Sequence, residues 1–600
     1  MLWNICFFVS LAVLIAGFVW AICLFRQKDK QNNDTLGFFV MAATVFVSAA
    51  VMFFAFALSN DYDGATGGRI NSVFLAVRKA IGIFVVDGDF AFFAENMEGM
   101  LPGLQPYASA LMSVLVISAP LFTFGFLLSF FKNLSSRIRF SLKRNADMYV
   151  FSELNEKSLV LARDLKSHEK HRAIVFCDVF ENDDERFGEL LEKAKRIDAI
   201  FFQKDILDIN FKKHTKRGSL YFFITGSDQT ENVNQSVGLI EQYGQYENAH
   251  LYLFSDAVSG EVLLFSGKSN NMKIHRVNES LAMIHNALYQ DPTVVFENTC
   301  GVTPEGEKVI SAVLVGLGGY GMESLKTLVW YGQMDGYRIR IDAFDKDEKA
   351  EDRVRFLCPE VMDECYNHQY VPGEACYSVN VHAGVEVGTG AFAKHIAQLT
   401  EASFVLVSLG NDDLNIETAV SLRTMFERLN IHPTIYAVVY NDHLAACLQG
   451  LTNYKGQPYG IRTIGGMEAS YSENVILRSA LEKAALAIHL AWDGAIQQDF
   501  YAYEYNYNSS TASALHNRAR ARLQVNGAHL PLEQRSEEQM QKLDDLEHRR
   551  WNAYMRSIGY VHGKARNDLG KMHHNLSNFA ELSPDDIRKD RRVSSVILDD

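Results

Sequence analysis

The stretch Ser311–Trp330, SAVLVGLGGYGMESLKTLVW, carries the most explicit chemistry in the chain. Gly316, Gly318 and Gly321 form a G-x-G-x-x-G between a β-rich run and a helical run. Glycines at that spacing allow a tight turn, close approach of the backbone to a phosphate and close packing of helix on strand. The helix start that follows aims its N–H groups at an anion. The next β-rich run, RIRIDAFD, ends at Asp345. That is about two dozen residues past the last glycine, where an acid would hold a free ribose 2′-hydroxyl. Gly410 and Asn415 follow a further strand-like run, SFVLV, on the face where ligands bind in such sheets. The chemistry is binding of NAD or another adenine nucleotide, with Gly316, Gly318, Gly321, Asp345, Gly410 and Asn415 as candidate contacts; the alternative is an empty fold that keeps its glycine turn for packing.

A second constellation lies in LEHRRWNAYMRSIGYVHGKARNDLGKMHH. Trp551 and Tyr560 offer faces on which a ring can stack. Arg550, Arg556 and Lys571 can hold a phosphate, Asn552 can read polar edges, and His573 completes the set. Trp551, Tyr554, Met555 and Ile558 also fall on one helical stripe, so Trp551 reads equally as core. The exposed Arg and His residues serve a ligand pocket or a protein–protein face. Asp87 and Asp89, in DGDFAFFAENMEG, would form acidic rings in a symmetric oligomer and favour cations. The alternative is a solvated acidic loop. Cys358, Cys365, His368 and Cys376 fit no common zinc spacing, so no metal site is expected. A nucleophile elbow, a P-loop and an HExxH are all missing. We expect binding without turnover, because no acid–base residue on a separate substrate domain accompanies the glycine turn.

These residues need elements to hold them. A chain of 600 residues suggests three or four domains. A net charge of −14 argues against a global basic field for nucleic acid. The apolar runs Leu2–Phe25, Leu36–Leu58 and Tyr107–Phe131 are long enough to cross a bilayer. The first lacks a basic start and reads as a retained helix. Basic clusters follow the first and third runs, which predicts an outside N-terminus and cytoplasmic domains behind the third span. Asn71–Val86 is amphipathic and too short to span comfortably. It reads as a pore helix before the acidic turn, or as an interfacial helix on the outer leaflet. Pro120 and Gly125 are candidate bending points in the third span. The filter sequence TVGYG is absent.

Behind the membrane region, two doubly wound α/β units are expected, at residues 146–300 and 301–490. The first places Ser152, Leu154 and Lys157 where a glycine fingerprint would stand, so it reads as degenerate. Its Asp178 ends the second strand. A helical connector, 491–540, follows, with NRARAR read as a solvated helix face, and then a small mainly helical domain, 541–600.

Residues 36–490 resemble the regulators of potassium conductance, or TrkA-N family, strung behind pore helices. The phrase MYVFSELNEKSLVLARDL resembles the first strand and helix of such a sensor, its usual glycine replaced by Ser152. Two sensors in one chain look most like the Castor and Pollux type of channel and its bacterial relatives. The tail resembles the RyR domain, named in ryanodine receptors, through LEHRRWNAYMRSIGY, the following HG, Lys571-x-His573 and Leu576–Leu582. The resemblance implies a homo-oligomer, a tetramer, whose sensor ring pulls on inner helices when a small nucleotide binds. The expected function is a cation-conducting, ligand-gated channel or channel-like transporter in the cell membrane. The alternatives are a membrane-anchored nucleotide-sensing defence or signalling effector and a membrane-bound NAD-dependent oxidoreductase.

Overall fold

The computed structural model describes residues 2–26, 30–59, 67–85, 100–143, 145–169, 171–180, 184–214, 218–255, 271–362, 377–399, 401–477, 480–492 and 494–596. They form two compact units, residues 1–141 and 142–600, described separately below.

The first unit is helical. Leu2–Arg26 and Lys30–Ser59 form an antiparallel hairpin. Ser10 Oγ donates to the Ser48 carbonyl at 2.9 Å and Ser48 Oγ donates back to the Ser10 carbonyl at 3.1 Å. Further along the same pair, Gly17 faces Thr44 so closely that an added Cβ would lie 2.4 Å from the threonine methyl. Small residues and short-range hydroxyl bonds are how helices pack where no water drives them together. Gly67–Phe84 buries Ser72, Ala76, Ala80 and Ile83 and leaves Val73, Phe74 and Ile81 exposed. The expected pore helix is therefore a helix, begun at Gly67. Asp87 and Asp89 lie outside the described residues. Gln105–Leu142 contains Pro120 and buries Ala108, Leu111, Met112, Leu115 and Ala119 in the unit's core. Trp3–Ala21, of mean hydropathy 2.2, and Gln105–Thr123, at 1.5, are long and apolar enough to cross a membrane. The second expected span, Leu36–Leu58, is helical, but its apolar part is shorter, Val40–Ala55.

The second unit contains two parallel sheets of the same winding. β1 (Met148–Phe151), β2 (Ala173–Phe176), β3 (Ile200–Phe201), β4 (Leu220–Ile224), β5 (Ala249–Phe254) and β6 (Lys273–Val277) are ordered 3-2-1-4-5-6. The second sheet contains β8 (Lys308–Val315), β9 (Tyr337–Asp345), β10 (Tyr377–Ala383), β11 (Phe404–Val407), β12 (Thr434–Val438) and β13 (Ile461–Ile464). It is ordered 10-9-8-11-12-13, and a short β7 (Cys300–Val302) pairs antiparallel with β8. Strands such as β1, β2 and β11 are buried at every residue because parallel sheets are covered on both faces. The two Rossmann-like units expected from the sequence are present. Strands β6, β10 and β13 complete them.

The sheets are not beads on a string. One buried core contains Phe151 and Phe254 of the first sheet, Leu325 and Trp330 beside the second, and Leu515, Leu546, Met555 and Val593 from the C-terminal helices. Arg172, ahead of β2, forks onto Glu473, beyond the second sheet, at 2.5 and 2.9 Å, with both side chains under 5% exposed.

The connector differs from its expectation. Helix Glu504–Arg522 is buried along much of its length, and Arg520 of NRARAR is 1% exposed. Arg520 faces Glu547 at 3.5 Å, and Arg518 stacks over Tyr289 at 4.4 Å. The stretch is a core element because these arginines find a carboxylate and a ring inside the fold.

Candidate functional site

At the C-terminal ends of β8, β9 and β11 a cleft of about 450 Å³ opens where the strand order reverses. Gly316, Gly318, Asp345 and Gly410 line it. The three loop glycines have different reasons. Gly316 has φ +93°, and an added Cβ would lie 2.4 Å from the Ser408 carbonyl oxygen. At Gly321 a Cβ would lie 1.7 Å from the Gly316 oxygen, so this glycine sets helix-on-strand packing. Gly318 has φ −69° and nothing within 4 Å of a built Cβ. Neither backbone nor packing demands glycine there. What a side chain would occupy is the floor of the cleft.

Gly318 is also the N-cap of helix Gly319–Tyr331, with no side chain capping the first turn. The opening N–H groups of that helix are left for an anion. The first sheet makes the opposite choice. Asn155 caps helix Glu156–His168 with a capping box to Ser158, and its amide donates to the Thr225 carbonyl at 2.8 Å and to Glu153 at 2.6 Å. Ser152 Oγ accepts from Thr225 N at 3.0 Å. Side chains fill the place where a pyrophosphate would sit. Lys157 turns away to Glu279 at 2.7 Å. Asp178 sits at φ +54°, and burial, then Asp205, raises its carboxyl above the usual carboxylate range.

Asp345 is held rather than free. Its Oδ2 accepts from Leu317 N at 2.6 Å and its Oδ1 from Asp347 N at 2.8 Å. The carboxylate ties the end of β9 to the glycine turn while lining the cleft. Gly410, at φ +79°, opens the opposite wall. Asn415 corrects the sequence reading. It is 1% exposed, accepts from Leu409 N at 2.6 Å and donates to the Val438 carbonyl at 2.8 Å, so it braces β11 against β12 instead of facing a ligand. Ser280, Tyr320, Lys346, Glu386 and Tyr440 also line the cleft. Lys346, directly after the acid, had a sequence signal. Ser280 and Tyr440 reach the cleft only through the fold.

The tail residues part company. Arg550, Asn552 and Arg556 are each at most 1% exposed. Arg550 donates to Glu547 at 2.8 Å; Asn552 donates to the Ser577 carbonyl at 3.1 Å; Arg556 meets Glu360 of the second Rossmann-like unit at 2.7 Å. These three are internal braces, not the exposed ligand contacts expected, because helix Glu537–Ser557 is enclosed on several sides and its cations need internal carboxylates and carbonyls. Trp551 is half-buried, 5.0 Å edge-on from His573. Burial, then His574 and Arg566, lowers the His573 imidazole to about 4. Tyr560 is buried and points its hydroxyl at Asp568, 3.4 Å away. Lys571 is exposed, yet donates to the Ile558 carbonyl at 2.8 Å. Of the cysteine cluster, Cys358 is buried, with Sγ 3.0 Å from the Ser557 carbonyl; Cys365, His368 and Cys376 lie outside the described residues.

No family model and no curated protein matches the chain. Among solved structures it is similar to the crystal structure of a GsuK mutant, with 12% identity and a TM-score of 0.31 over 74% of this chain and 97% of that one. Similarity at that level carries no statement about function.

Proposed function

We propose that this chain is a membrane-embedded, ligand-gated channel or channel-like transporter whose cytoplasmic Rossmann-like units sense a nucleotide. The observation that carries the nucleotide reading is the pairing of an uncapped helix start with Gly318, a glycine whose missing side chain serves only to leave room. The ligand is NAD or another adenine nucleotide, with its phosphates on the start of helix Gly319–Tyr331 and Lys346 nearby as a counter-charge. Apolar helices in the same chain supply the membrane part. Its N-terminus lies outside, the two Rossmann-like units lie in the cytoplasm, and a homo-oligomer encloses the pathway for cations. A ligand gates by binding one conformation better than the other; moving a gate from 1:99 to 99:1 takes about 5.5 kcal/mol of differential affinity, within reach of several cooperating sensors.

The test uses the full chain in detergent, melted with NAD, NADH, ATP, ADP and ADP-ribose, beside Gly318→Asp. One ligand should raise the melting temperature of the parent and leave the variant unmoved. That ligand should then change cation flux in proteoliposomes. A stabilised parent without any flux response would leave a sensor with no channel, and a stabilised Gly318→Asp would remove the glycine cleft from the account.

A further inference from the structure

A larger cavity, of about 720 Å³, lies away from the glycine cleft. Its walls are edge strand β6, helix Glu279–Gln290 and the helices Ala480–Leu490, Gln497–Ala502 and Glu504–Arg522. Its size falls in the range of small-molecule sites. Three features define what it would accept. Tyr501 and Tyr507 give it aromatic walls. Asn286 brings an unused polar group: its half-buried amide makes no hydrogen bond among the described residues. The third feature is charge. Arg276 is spent: Nε lies 2.9 Å from Glu504 and Nη1 donates to the Ser255 carbonyl at 3.3 Å. Lys483 sits exposed at the rim. No cation among the described wall residues is buried and free to meet a phosphate.

We infer that this cavity is a second binding site, for a small, planar, uncharged molecule with hydrogen-bonding edges, of the nucleobase or nucleoside class. A phosphate taken into the cavity would find no buried cation free to pair with it, so the walls favour the uncharged form. The site is independent of the reading of the glycine cleft. The two do share an element, since helix Glu279–Gln290 gives Ser280 to the cleft and His285 and Asn286 to the cavity.

Equilibrium dialysis of the full chain in detergent, with labelled adenosine, guanosine, cytidine, uridine and their 5′-monophosphates, tests it. At least one nucleoside should bind about tenfold or more tighter than its own monophosphate. Asn286→Leu, which keeps volume and removes the amide, should weaken that binding by about tenfold, as should Ala282→Phe, which fills the cavity. Gly318→Asp should leave it unchanged. If Ala282→Phe does not fold, Asn286→Leu decides alone. The inference is overturned if no nucleoside binds, if monophosphates bind as tightly, or if Gly318→Asp abolishes binding that Asn286→Leu retains. The last outcome would place the compound in the glycine cleft.

Discussion

Glycines that look alike in a motif answer to different physics, and substitution separates them. Alanine at Gly318 meets nothing within 4 Å at an ordinary φ. Gly318→Ala should therefore cost about 1 kcal/mol or less, the usual loss for alanine at an N-cap. Alanine at Gly321 would drive its Cβ to 1.7 Å from a backbone oxygen. Gly321→Ala should cost about 3 kcal/mol or more, as severe overpacking does. Chemical denaturation followed by tryptophan fluorescence gives both numbers. Equal costs would mean that Gly318 is structural after all. In the membrane unit, Gly17→Leu meets Thr44 in the same way and should disrupt the first hairpin, read as loss of a crosslink between cysteines introduced at Ser10 and Ser48.

At the scale of elements, helix Ala480–Leu490 carries an acid out of its usual range. Burial raises the Glu482 carboxyl from 4.5 to about 7, while the Tyr501 hydroxyl and Lys273 pull it partly back. The folded chain thus keeps a proton that the unfolded chain releases between pH 4.5 and about 7. This contribution to stability is complete below the lower value and is lost as pH rises through the upper one. Glu482→Gln should match the parent near pH 4. It should exceed the parent at about pH 8, by about 3 kcal/mol at most. A variant less stable than the parent at pH 8 would mean that the charged carboxylate is well solvated in the fold.

Across the second unit, the buried ion pair of Arg172 with Glu473 fastens distant segments. Arg172→Met would strand Glu473 and should cost about 3–5 kcal/mol; adding Glu473→Leu should restore most of it, since a buried pair contributes little net against apolar replacements. The histidines set the acid limit. Burial holds His285 at about 3 and His573 at about 4, against 6.5, and lowers His516 well below that value. Each is neutral in the fold and protonated in the unfolded chain. Stability should therefore fall as pH drops below 6.5, by about 2 kcal/mol per histidine at pH 5. Three such groups outweigh the opposite slope from Glu482. Thermal melts between pH 8 and 5 that rise toward acid would contradict this sum.

The sequence alone determined the apolar helices ahead of two Rossmann-like units, because strand composition and helix length are local properties that burial on both faces or a bilayer imposes directly. It also determined the glycine turn and Asp345, since a motif within one β–turn–β span is read in order along the chain. Edge strand β10, YSVNVHA, alternates polar and apolar residues and lacks the continuous apolar run that marks the strands buried on both faces. Only the tertiary structure decided which polar residues line the clefts and which are buried in the fold. Asn415, Arg520, Asn552 and Arg556 have the composition of a surface and lie inside, because their partners Leu409, Glu547, Ser577 and Glu360 arrive from other elements. A side chain's hydrogen-bond partner is a property of the packed fold, and no spacing along the chain encodes it.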